Sequence, residues 1–110
     1  MPSYFQNEIV LVRYPFSDLS GSKVRPAVVV QAPHISQDII IVPLTSKTTG
    51  LLAGEFPVSN WKNSGLNVAS AVKRGLYTIH LSLVVKSIGK LSEGDAKTLE
   101  TSLRLWLGLP

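Results

Sequence analysis

A guanidinium held in place beside a hydroxyl donor is enough to grip a phosphate, and this chain carries both groups at the ends of strand-like runs. The first is Arg25, in Lys23-Val24-Arg25-Pro26. Pro26 pushes the residue before it into extended backbone and has no N–H for a sheet ladder. Arg25 is therefore expected at the rim of a strand, its stem fixed and its fork pointing out. A guanidinium meets a phosphate through two parallel bonds and stays charged at any working pH. The second is Pro43-Leu44-Thr45-Ser46, where an apolar run gives way to loop and hydroxyls can donate to a phosphate oxygen. Taken singly, the first reads as a solvated strand-end arginine and the second as a Ser/Thr turn.

Together they say more. If runs 24–31 and 38–44 form a hairpin, antiparallel pairing sets the start of one beside the end of the other. Arg25 and Thr45, with Ser46 and Lys23, would then share one end of a sheet, next to the polar loop 17–23. A rigid sheet edge bearing a cation and hydroxyls is a reasonable phosphate site. Asp18 in that loop is a candidate general base, although Asp in Ser-Asp-Leu-Ser-Gly is commonly a turn former. Lys73 and Arg74 with Tyr77 nearby could hold a single nucleic-acid strand by charge and stacking, or form a solvated turn with a half-buried ring. His34 falls in the turn at the far end of the hairpin, and His80 ends a strand with no partner in view, so both read as structural. Trp61 and Trp106 read as core or interface residues.

The elements that must position these groups are mostly short strands. Glu8–Phe16 is rich in β-branched and aromatic residues, with Pro15 near its end. The runs Val24–Gln31 and Asp38–Leu44 are apolar on both faces, as central strands are. Gly54–Val58 and Val84–Ile88 read as short strands, Ser59–Leu66 as a loop or single turn closed by glycine, and Asn67–His80 as one or two strands interrupted near Gly75. The end differs in kind. Ser92 is a good N-cap with Asp95 in the capping-box position, and Ala96, Leu99, Leu103 and Trp106 recur on one helical face before Gly108 and Pro110 stop it. Many short strands followed by one amphipathic helix predict a small, partly open antiparallel barrel with a C-terminal helix packed on it.

The chain has 110 residues, 45% of them hydrophobic and only 16% charged. That suits one globular domain, with more apolar surface than so small a monomer hides well, and hence a dimer interface. The net charge is +4, and its excess lies in the β part, since Glu93, Asp95 and Glu100 oppose Lys97 and Arg104 near the end. A basic β part favours an anionic partner. There are no cysteines, and the 2 histidines lack ligand spacing, so disulfides and thiolate zinc sites are excluded and no metal or other cofactor is expected. No run approaches the roughly 20 apolar residues of a membrane span. The first residues, uncharged and then acidic, are unlike a signal peptide, so the expected location is the cytoplasm.

Several of these motifs, in order, resemble the MazF/PemK toxin family. They are Glu8-Ile9-Val10-Leu11-Val12, Pro15-Phe16-Ser17-Asp18, Gly21-Ser22-Lys23-Val24-Arg25-Pro26-Ala27-Val28-Val29-Val30 and Pro43-Leu44-Thr45-Ser46. Later matches are Gly65-Leu66 with Ser70, Ile88-Gly89-Lys90-Leu91-Ser92 and Leu107-Gly108-Leu109. The resemblance implies a small SH3-like antiparallel barrel of the CcdB/MazF kind, a homodimer, and metal-independent, sequence-selective cleavage of single-stranded RNA to 2′,3′-cyclic phosphate and 5′-hydroxyl ends. It implies an antitoxin that inserts into the RNA groove, and operator DNA met only through that antitoxin. It sets Arg25 and Thr45 on the family's catalytic arginine and threonine positions. Where the family has glycine before the first strand this chain has Asn7, which tolerates the same left-handed turn. Where some members carry a loop glutamate, the loop carboxylate here is Asp18. The rival readings are a toxin of the same fold that poisons a protein such as a topoisomerase, a barrel that binds nucleic acid without cutting it, and a degenerate toxin that keeps only antitoxin binding.

Overall fold

The computed structural model describes residues 4–14, 23–31 and 35–110, with the side chain of Tyr14 outside the description. Its elements are β1 (Glu8–Tyr14), β2 (Lys23–Val29), β3 (Asp38–Thr45), β4 (Phe56–Pro57), β5 (Ala71–Val72), β6 (Tyr77–His80), a 3-10 turn over Leu81–Leu83, β7 (Val84–Lys90) and α1 (Glu93–Leu107). The strands form one antiparallel sheet in the order β4-β5-β3-β2-β1-β7, with β6 also paired to β3.

The doubly apolar runs are central, as expected, and alternation deals their side chains to two cores. Val28, Val42 and Leu44 join Ile9, Val72 and Leu99 beneath α1. Ala27, Val29, Ile39 and Ile41 join Val10, Val12 and Ile79 on the opposite face. The fold is mainly antiparallel sheet with one C-terminal helix, but among the described residues it does not close. Strands β4 and β7 are its two ends. β4 holds only Phe56 and Pro57, and proline has no N–H to offer a further strand. An SH3-like barrel is thus an approximate description.

Several boundaries move by a residue or two. β1 is described only to Tyr14, since Pro15 and Phe16 lie outside the described residues. β2 begins at Lys23, and β3 runs on to Thr45, which makes Thr45 a strand residue. The Gly54–Val58 strand shrinks to Phe56–Pro57, and β7 extends to Lys90. Asn67–His80 does contain two strands, separated around Gly75. Asn7 takes the left-handed conformation, φ 74°, so that its N–H reaches the Val29 carbonyl at 2.7 Å while its carbonyl accepts the Leu91 N–H at 2.9 Å.

The Ser92 hydroxyl caps α1 by accepting the Asp95 N–H at 3.2 Å. The capping-box expectation for Asp95 is only half met. Its buried carboxylate accepts the backbone N–H and the hydroxyl of Ser59, each at 3.0 Å, and so ties the 59–66 turn to the helix. Leu99 is fully covered, Leu103 and Trp106 pack on the same core, and Gly108 ends the helix in a left-handed cap.

Candidate phosphate-binding site

The β2–β3 ladder runs Val29↔Ile41, Val28↔Val42, Ala27↔Pro43. Pairing ends there; counted two residues further, the same register would set Arg25 level with Thr45. On the other side of β2, Arg25 is the partner of Val12, and beyond β3, Thr45 is the partner of Ala71. Alternation gives Arg25 and Thr45 the face that carries Ala27, Val29 and Ile41. Both residues thus lie at the same end of the hairpin, just past its last paired residues Ala27 and Pro43, although they stand twenty positions apart in sequence.

Burial along β2 explains how Arg25 is presented. Ala27, Val28 and Val29 are buried, Pro26 is half-buried and residues 23–25 are exposed, so the arginine stands two residues outside the buried stretch that begins at Ala27. Thr45 is half-buried, and its Oγ1 accepts the N–H of Lys47 at 3.1 Å. That bond fixes the hydroxyl and leaves its hydrogen to donate elsewhere. Ser46 is exposed beside it. Lys23 is exposed at the start of β2, opposite Tyr14.

Lys73 and Arg74 arrive from β5, on the far edge of β3. The Lys73 N–H bonds the Pro43 carbonyl at 3.0 Å, and the Arg74 N–H bonds Glu55 Oε2 at 2.9 Å, so both side chains start near the end of the strand that carries Thr45. Tyr77 pairs with Ile41, on the face of Arg25 and Thr45. Its ring lies so close over Gly75 that a Cβ there would sit 2.9 Å from Tyr77 Cε2 and 3.4 Å from Pro43. Asp18 lies outside the described residues, as does His34. His80 is at the opposite end of β3, where its Nδ1 takes the Ser82 N–H and contacts the Ser82 hydroxyl, a capping role. Trp106 donates to the Ala53 carbonyl at 2.9 Å and Trp61 packs on the core, both structural.

Two neighbours of the site escaped the sequence. Lys47 is joined to Thr45 by the bond just described. Glu55 accepts the Leu52 N–H at 2.7 Å with one oxygen and the Arg74 N–H with the other. These two bonds hold its carboxyl below the ordinary glutamate value; burial opposes them, and the charges of Lys73 and Lys47 add smaller lowering effects. The only local sign was a carboxylate after Gly54, and its partner is nineteen residues on. Among the described residues no three His, Cys, Asp or Glu side chains gather as metal ligands, and no helix is long and apolar enough to cross a membrane.

Residues 5–107 match the family model described as PemK-like, MazF-like toxin of type II toxin-antitoxin system. No curated protein matches the chain significantly. Among solved structures, the Mycobacterium tuberculosis toxin MazF-mt6 superposes with a TM-score of 0.76 at 22% identity, covering 94% of this chain and 98% of that one. An endoribonuclease from a mycobacterial species gives 0.78 at 18% identity, over 100% of this chain and 96% of that one. An endoribonuclease in complex with its cognate antitoxin, also mycobacterial, gives 0.75 at 17% identity, over 100% and 98%. At these identities the likeness is one of fold.

Proposed function

The chain belongs to the PemK-like, MazF-like toxins of type II toxin–antitoxin systems, and from that premise we propose that it is a metal-independent endoribonuclease that cuts single-stranded RNA with Arg25 and Thr45. The observation that supports this reading is the β2–β3 register, paired from Val29↔Ile41 to Ala27↔Pro43, which continued by two residues would set Arg25 level with Thr45.

In the reaction the RNA 2′-oxygen attacks the adjacent phosphorus while the bond from phosphorus to the 5′-oxygen breaks. The 2′-hydroxyl gives up its proton to a base, for which Asp18 is the candidate carboxylate, and the departing 5′-oxygen takes one up. The products are a 2′,3′-cyclic phosphate and a 5′-hydroxyl. Arg25 holds the non-bridging oxygens with its fork and balances the charge that builds on them, an effect worth on the order of a hundredfold or more in rate. Thr45, its hydroxyl fixed by Lys47, donates to a phosphate oxygen, with Ser46 beside it. Lys23, Lys73 and Arg74 attract the backbone, and Tyr77 offers a ring on which a base can stack. A single strand is required because its backbone can turn into line for the attack and its bases are open to reading.

The partners follow the same premise. A cognate antitoxin occupies the RNA groove, and through it alone the toxin meets operator DNA. The chain works as a homodimer in the cytoplasm. Exposed Leu76, Leu105, Leu107 and Leu109 offer apolar surface for a second copy, which sedimentation at micromolar concentration would detect.

The deciding experiment is cleavage of a synthetic RNA by the wild type and Arg25→Ala, both in excess EDTA. Wild-type cleavage with a hundredfold or greater loss in the variant is expected. Equal cleavage by the variant removes Arg25 from the mechanism, loss of wild-type activity on chelation removes metal independence, and the absence of RNA ends under any condition favours a same-fold toxin or binding module without nuclease activity.

A further inference from the structure

The basic groups near Thr45 act on a carboxylate that the cleavage mechanism does not use. Glu55 stands where the chain returns to the β3 edge, both oxygens occupied by backbone amides. Lys47 reaches this place from the end of β3, tied by its N–H to Thr45. Lys73 reaches it from β5, tied by its N–H to the Pro43 carbonyl. Both lysine side chains are exposed, and both ammonium groups act on the carboxylate through space. Neither side chain has a hydrogen-bond partner among the described residues. Two cations are thus anchored by their backbones to the two residues that bracket Leu44, and both act on one carboxylate held by backbone amides.

We infer that Lys47 and Lys73 form a second phosphate position for the RNA chain next to the scissile one, and that Glu55 is its built-in counter-charge, limiting how tightly RNA is held. The inference rests on the nuclease reading and deepens it. Glu55 also clamps the turn, a task that takes a carboxylate because each of its oxygens accepts one backbone N–H. A full negative charge beside the groove repels a polyanion, and an enzyme that must release its cut strands gains turnover from weaker holding. Lys47 and Lys73 then contribute affinity in proportion to the counterions they displace, each about 0.7 in the slope of log affinity against log salt on a single strand.

The test is binding of a fluorescent 2′-O-methyl RNA, which lacks the nucleophile and cannot be cut, across a salt series. The proteins are the wild type, Lys47→Gln, Lys73→Gln and Glu55→Gln. Each lysine variant should bind several-fold more weakly with a shallower salt dependence, and Glu55→Gln several-fold more tightly. Lysine variants with the wild-type slope, or a folded Glu55→Gln with wild-type or weaker affinity, would overturn the inference. Should Glu55→Gln fail to fold, the lysine variants decide the phosphate position, and Glu55→Ala takes its place in testing the counter-charge, with tighter binding expected and wild-type or weaker binding against it. A wild type that binds no RNA at any salt is a separate outcome, because it overturns the nuclease reading and this inference with it.

Discussion

The Thr45 hydroxyl accepts the backbone N–H of Lys47 at 3.1 Å, so the group assigned to the phosphate is held by its acceptor side and donates with its only hydrogen. Thr45→Val keeps the shape and removes both functions. It should lower single-turnover cleavage by about 10- to 100-fold, while Thr45→Ser retains most of the rate. The loss should fall on kcat more than on KM, since the hydroxyl contributes most when charge has built on the phosphate. Wild-type cleavage by Thr45→Val would take the hydroxyl out of the mechanism.

A second prediction concerns the link between the helix and the turn that precedes β5. The Asp95 carboxylate is buried and takes both donors of Ser59. Hydrogen bonds to a charged acceptor are worth more than neutral ones, and a stranded buried donor costs more still. Asp95→Ala should therefore destabilise the protein by about 2–3 kcal/mol in urea unfolding, and Ser59→Ala by about 1 kcal/mol. Because the two act as one unit, the double variant should lose no more than Asp95→Ala alone. Additive losses would separate them.

What could be read from the residues, and what could not, divides along physical lines. The apolar runs 27–30 and 39–44 announced central strands because only a sheet covered on both faces needs them, and Arg25 and Thr45 followed from the hairpin those strands must make. The helix was legible from its period and its caps at Ser92 and Gly108. Glu55 was not, because its meaning comes from a bond to an amide nineteen residues away in a segment of no regular period. Asp95 looked like a reciprocal cap because local spacing was the only information at hand, whereas in the fold Ser59 competes for its carboxylate and wins. β4 shrank for a similar reason, since Pro57 closes the ladder wherever propensity would continue it.

The third prediction is a pH dependence. Amide bonds from Leu52 and Arg74 favour the ionised form of Glu55, so its folded value lies below the unfolded one of about 4.3. A depressed carboxylate contributes stability that is fully present above the unfolded value and disappears as pH falls through the folded one. Glu55→Gln should therefore unfold at lower urea than the wild type at pH 7, and the two midpoints should converge as the pH is taken below about 4. A gap that stays constant down to pH 2 would show that the charge itself contributes nothing.

The last prediction tests the seam that joins the 60–65 turn to β7. A Cβ built on Gly65 would lie 1.8 Å from the Ile88 carbonyl oxygen, and one on Gly89 would lie 2.0 Å from the Ser64 carbonyl oxygen. The obstacles are backbone atoms, which cannot swing aside as a side chain does, and Gly65 also has φ +91°. Gly89 is in addition the β1 partner of Ile9, at a point where the β1–β7 register shifts, so β7 has little room to retreat. Relief would have to come from moving the turn outward, and that would uncover Leu66 and Leu91, both buried beneath α1. Exposing even one leucine costs about 1.5–3 kcal/mol, a large share of the 5–15 kcal/mol that holds a small domain together. Gly89→Ala and Gly65→Ala should each lower the melting temperature by ten degrees or more on the order-of-magnitude scale of such losses. Gly94→Ala is the matched control, because nothing lies within 4 Å of its added methyl group in the first turn of α1, and alanine there should be neutral or stabilising by up to about 1 kcal/mol. Melting curves of the three variants read the contrast directly. A Gly89→Ala protein that melts with the wild type would mean that the turn and β7 do not meet backbone to backbone.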